Sequence, residues 1–97
     1  MKYVFDLDGT LCSEEGGHYR EAQPFKQRIA AVNELYDAGA IIVISTARGA
    51  DLHRLTRLQL IRWGVKYSGL VCGSKPYADF YIDDKALSAH DFFHPVD

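Results

Sequence analysis

The run AIIVIST, residues 40–46, constrains the fold most. Successive side chains on a strand point to opposite faces, so five apolar residues in a row ask for cover on both faces. That is the pattern of an interior strand in a parallel sheet, and it ends in two hydroxyls, Ser45 and Thr46. Parallel strands need crossover connections, usually helices, and the flanking sequence supplies them. After Pro24, set in a first helical turn, Phe25, Ile29, Val32, Leu35 and Tyr36 recur at three- and four-residue steps, and Gly39 closes that helix. Asp51 reads as the cap of a second helix, Leu52 to Trp63, with Leu52, Leu55, Leu58 and Ile61 inward, Arg54, Arg57 and Arg62 outward, and Gly64 as its stop.

Three shorter β-forming stretches complete the pattern: Tyr3 to Leu7, GLVCG at 69–73 and ADFYID at 78–83. The segment from Gly9 to Gln23, with its polar SEEGGHY, reads as a loop. From Ala86 to Asp97 the pattern is weak, leaving room for a turn or an edge element. Strand, helix, strand, helix, strand predicts a right-handed α/β sandwich with about four parallel strands.

At 97 residues the chain fits one small domain spanning 1–97. Its 25% charged residues and formal net charge of -2 give no polyanion-binding footprint, so no nucleic-acid partner is expected. Cys12 and Cys72 show no CxxC spacing, which argues against a zinc site or a disulfide framework. The apolar start is broken by Asp6 and Asp8, unlike a signal peptide or a membrane span. A soluble cytoplasmic protein without a membrane partner is the expectation.

Ligands of open parallel sheets bind beyond the carboxyl ends of the strands. Polar residues fall there: Asp6 and Asp8 after the first strand, Ser45 and Thr46 after the second, Asp83 and Asp84 after the fourth, with Lys75 in the loop before it. Clustered carboxylates repel one another and need a cation, and oxygen-only ligands point to a hard ion such as Mg²⁺. Thr46 and Lys75 can then hold a phosphate by hydrogen bond and charge, a set suited to phosphoryl transfer.

The segments DLDGT (6–10), IIVISTAR (41–48), SKP (74–76) and DFYIDD (79–84) resemble, in order, the four motifs of the haloacid dehalogenase-like phosphatases. Within that superfamily, TARG and KPYADFYIDDKA are similar to small capsule- or sugar-phosphate-associated phosphatases. The resemblance implies a Rossmann-like α/β/α sandwich of strand order 5-4-1-2-3. It also implies that Asp6 is the nucleophile that forms an aspartyl-phosphate and binds Mg²⁺ through its other oxygen. Asp8 would be the acid and base with its carbonyl on the metal, Thr46 the phosphoryl holder and Lys75 the balancing charge. Asp83 would bind the metal directly and Asp84 through water or by orienting Lys75.

About 35 residues separate Thr10 from Thr46 and about 29 separate Thr46 from Lys75, each interval used by a loop or strand and one helix, so no cap domain fits. The site should be open, closed by the 12–23 loop, a bulky substrate or a second copy of the chain in a homo-oligomer. His18, Tyr19 and Arg20 are the candidate contacts to a small-molecule phosphate ester, with Arg48 and His53 after them. His53, His90 and His94 also fit plain surface positions, and Arg48 also fits a structural cap or ion pair. The alternatives to hydrolysis are a phosphotransferase and a non-enzymatic phospho-acceptor of the receiver type. The strand order leaves GSKPYA, about 20 Å at full extension, to cross beneath two strands, which predicts either an extended crossover without a helix or a fourth strand that starts late.

Overall fold

The computed structural model describes residues 1–73, 80–83, 87–88 and 92–94. The chain is an α/β protein. Strands β1 (Lys2–Asp6), β2 (Ile41–Thr46), β3 (Gly69–Cys72), β4 (Phe80–Asp83) and β5 (Leu87–Ser88) form one sheet of order β3-β2-β1-β4-β5, every pairing parallel. This is the order that the motif resemblance implies, in five strands where the apolar pattern showed about four. The fifth, only two residues long, lies in the tail, and two residues leave no periodicity to read. The crossover between β3 and β4 falls on residues 74–79, outside the described residues.

Within β2, Ile42 to Thr46 are all buried, while Ile41 at the strand's entry is half exposed. Register puts Phe5 beside Ile44 and Ile82, and Val4 beside Val43. Phe5, Ile42, Ile44 and Ile82 therefore share one face, where they meet Ile29 and Val32 of α1 (Lys26–Asp37) and Leu60 of α2 (His53–Arg62). Both helices contribute to that one cluster. The opposite face carries Val4 and Val43 against Val71. Right-handed crossovers that step twice in the same direction, β1 to β2 to β3, put both helices on one side.

Pro24 lies outside α1, which begins at Lys26; it sits in an isolated antiparallel bridge with Cys12. The first turn is tied instead by the Phe25 amide donating to the Leu11 carbonyl at 2.9 Å. At the other end Gly39 donates to Tyr36 O and Ala40 to Leu35 O, a paired C-terminal closure that Gly64 and Val65 repeat on Ile61 and Leu60 after α2. Asn33 of α1 brackets the turn after α2, donating to Gly64 O at 2.9 Å and accepting from the Lys66 amide at 2.8 Å.

The second helix differs from its expected orientation. Ala50–Leu52 form a 3₁₀ turn, α2 starts at His53, and no side chain caps either element. Thr56, Gln59 and Leu60 are buried, whereas Leu58 is 50% and Ile61 63% exposed. The inward face is displaced by one residue, about 100° around the axis. The cause is Arg48, buried beneath the helix, whose guanidinium requires acceptors that Leu58 and Ile61 lack and that Thr56 and Gln59 provide.

Phe92 and Phe93 close the helical side near β1. Their rings lie 5.6 and 6.0 Å from that of Phe5, and Phe92 also meets Tyr3 edge-on at 6.2 Å. No helix of the described residues is long and apolar enough to cross a membrane.

Candidate active site

Asp6 closes β1, Thr46 closes β2 and Asp83 closes β4. The register aligns Asp6 with Ser45 and Phe5 with Ile82, so the three strand ends lie side by side at one edge of the sheet. Past Asp6 the chain turns back at once: the Leu7 carbonyl accepts from the amides of Thr10, Leu11 and Cys12 at 3.1, 2.9 and 3.3 Å. That turn needs Gly9 at φ 83°, a left-handed conformation that a side chain resists. It leaves Asp8 at the edge beside Asp6.

Asp8 is clamped. Arg48 donates from Nε to Oδ2 at 3.0 Å and from NH2 to Oδ1 at 2.8 Å, a two-pronged ion pair with the guanidinium fully buried and the carboxylate 14% exposed. Arg48 NH1 donates to Thr56 Oγ1 at 3.2 Å and to Gln59 Oε1 at 2.6 Å. The Tyr19 ring covers the guanidinium at 4.5 Å, and Gln59 Nε2 donates to the Tyr19 carbonyl at 2.7 Å. The Arg48 amide donates to Thr46 Oγ1 at 3.1 Å, leaving the Thr46 hydroxyl its own proton to give.

Cys12 lies against the same carboxylate, its thiol 3.6 Å from Asp8 Oδ1 and 3.7 Å from Leu7 O. Burial, and then the negative charge of Asp8, push this thiol up to about 12. It is a weak donor to Asp8 rather than a nucleophile.

The structure thus gathers Asp6, Asp8, Thr46 and the end of β4 carrying Asp83 at one edge. Lys75 and Asp84 lie outside the described residues. His18, Tyr19 and Arg20 line a cavity of about 300 Å³ with Leu52 and Leu55, next to the Asp8–Arg48 pair through Tyr19. Arg48, read either as a substrate contact or as a structural ion pair, is the latter, its side chain turned inward with four of its N–H groups donating to Asp8, Thr56 and Gln59. His53 is exposed. Sequence reasoning missed Gln59 and Thr56, whose signal was two polar residues at helical spacing opposite a basic residue just after a strand end. A larger cavity, about 510 Å³, lies elsewhere, between the first turn of α1 and Phe93–His94, and none of the strand-end residues lines it.

All the candidate metal donors are oxygens, and Asp6 and Asp83 end neighbouring strands, a set suited to a hard cation that keeps several waters. Among the described residues no three acids, histidines or cysteines gather into a metal-binding group.

No family model and no curated protein matches the chain. Among solved structures, a crystallised MCSG target from Vibrio cholerae matches with a TM-score of 0.71 at 33% identity, over 97% of this chain and 89% of that one. A chain of the Pnkp1/Rnl/Hen1 complex matches with a TM-score of 0.73 at 15% identity, over 97% of this chain and 42% of that one. A chain of the Pnkp1/Rnl/Hen1 RNA repair complex gives a TM-score of 0.72 at 16% identity, with 97% and 39% covered. At such identities the likeness to these two is one of fold alone, and the present chain spans less than half of each.

Proposed function

We propose, from the premise that this chain belongs to the same family as the Vibrio cholerae protein, that it is a Mg²⁺-dependent phosphomonoester hydrolase. Its substrate is a small phosphorylated metabolite of the sugar-phosphate kind. The observation that supports this most is the convergence of Asp6, Asp8 and Thr46 at one sheet edge, in the spacing that the motif resemblance requires. On the same reading the sheet is the Rossmann-like core of the haloacid dehalogenase-like superfamily.

In this mechanism Asp6 attacks phosphorus and the ester oxygen departs, leaving an aspartyl-phosphate that water then hydrolyses. Asp8 serves the leaving oxygen and later the water. Both of its oxygens accept from Arg48, contacts that weaken when Asp8 carries a proton. Thr46 donates its hydroxyl proton to a phosphoryl oxygen while its own oxygen is held by the Arg48 amide. Lys75 supplies the balancing charge, and His18, Tyr19 and Arg20 meet the leaving group. Mg²⁺, held by Asp6, the Asp8 carbonyl, Asp83 and Asp84, supplies when bound the positive charge that lets a phosphate dianion approach the acids.

Phosphate release from p-nitrophenyl phosphate and a panel of sugar phosphates, with Mg²⁺ and after its removal by chelator, tests the reading. Turnover that requires Mg²⁺ is the expected result. A folded protein that turns over none of the panel contradicts it.

A further inference from the structure

Arg48 is an unusual residue for so small a chain to bury. The residue is 1% exposed, and withdrawing a guanidinium from water is costly before any partner is found. A buried ion pair seldom stabilises a fold more than apolar side chains of equal volume would, so stability alone gives little reason for it. What the position does give is connection. The main chain of Arg48 holds Thr46 Oγ1, its side chain holds both oxygens of Asp8, and its flat face carries the Tyr19 ring. Gln59 reaches from α2 to Arg48 with one end and to the Tyr19 carbonyl with the other. Three residues of the candidate site, from three separate segments, thus meet on one residue, Thr46 on its main chain and Asp8 and Tyr19 on its side chain.

We propose that Arg48 is the positioning residue of this site, fixing the direction of Asp8 and, with Gln59, seating the 13–23 loop through Tyr19. The inference rests on the phosphatase reading for what Asp8 does, and on geometry alone for the coupling of loop to carboxylate. A lysine cannot replace the arginine. It offers a point charge without the two-pronged fit, the second pair of donors, or a planar face for Tyr19. Loop and carboxylate should therefore loosen together when Arg48 is changed, and the loop by itself when Gln59 is.

Two measurements on Arg48→Lys and Gln59→Leu test this. Amide hydrogen exchange should quicken about tenfold or more at Glu21 and Ala22, whose amides bond within the loop, in both variants, with β2 amides unchanged. In p-nitrophenyl phosphate hydrolysis, Arg48→Lys should lower kcat about 100-fold with little change in KM, as misplacement of a reacting group does. Unchanged loop exchange in either folded variant, or exchange that quickens equally across β2, overturns the proposal. The kinetics decide the Asp8 half: a fall in activity that only follows the fraction folded counts against it. If the wild-type protein hydrolyses nothing, the phosphatase reading fails, and the exchange measurement alone decides whether Arg48 couples the loop.

Discussion

Cys12 illustrates how much a single position is set by its surroundings. The sequence offered it as one of two ordinary thiols, and nothing in the spacing marked it out. In the fold it is enclosed beneath the first turn after β1 and faces Asp8; burial first, and then that negative charge, push its pKa up to about 12 from an ordinary 9.0. Iodoacetamide at mildly alkaline pH should therefore modify Cys72, which is half-buried, while sparing Cys12 until the protein unfolds; peptide mass mapping reads the ratio. Because the folded-state value lies above the unfolded one, the thiol's contribution is complete below about pH 9 and is lost as pH rises toward 12. Cys12→Ala should flatten that part of the stability profile, measured by urea unfolding across the alkaline range. Asp6, Asp8 and Thr46 were legible because strand-end polar residues stand out after apolar runs. The inward turn of Arg48 was not, since a basic residue after a strand end looks the same whether it faces a ligand or the core.

At the level of elements, the sheet was legible and the second helix only in part. AIIVIST could only be an interior parallel strand, and the strand order followed once the motifs were aligned. The turn of α2 about its axis was lost because periodicity weighs Leu58 and Ile61 by hydropathy alone, while the real constraint was one buried guanidinium seeking oxygen. This gives a paired prediction. Leu60→Ala, at a fully buried position, should cost about 2–4 kcal/mol of unfolding free energy. Leu58→Ala, half in water, should cost well under about 1 kcal/mol. Equal costs from chemical denaturation would return the helix to the orientation its apolar pattern suggested. Asn33 is a further tie that no pattern announced, holding the turn after α2 by both ends of one amide.

For the whole molecule, the tail shows how a short chain completes its core. Residues 86–97 carry no periodicity, yet Phe92 and Phe93 lie against the ring of Phe5, which is fully buried, and Arg28 lies over Phe93 at 5.3 Å. Two adjacent aromatics near a terminus are too short a signal to distinguish core from surface. Phe92→Ala should cost about 2–3 kcal/mol, visible as a lower urea midpoint with an unchanged slope; a change within error would show that the tail does not close the core. The sheet so completed carries the strand ends that assemble the proposed site, and the proposed phosphatase chemistry makes one demand above the others: the reaction must pass through Asp6. Phosphate release by Asp6→Asn, beside wild type in saturating Mg²⁺ and with equal folding verified by circular dichroism, tests it most directly. Wild-type turnover with activity abolished in the variant is the predicted result. Activity that survives in a folded Asp6→Asn protein would contradict the account at its centre.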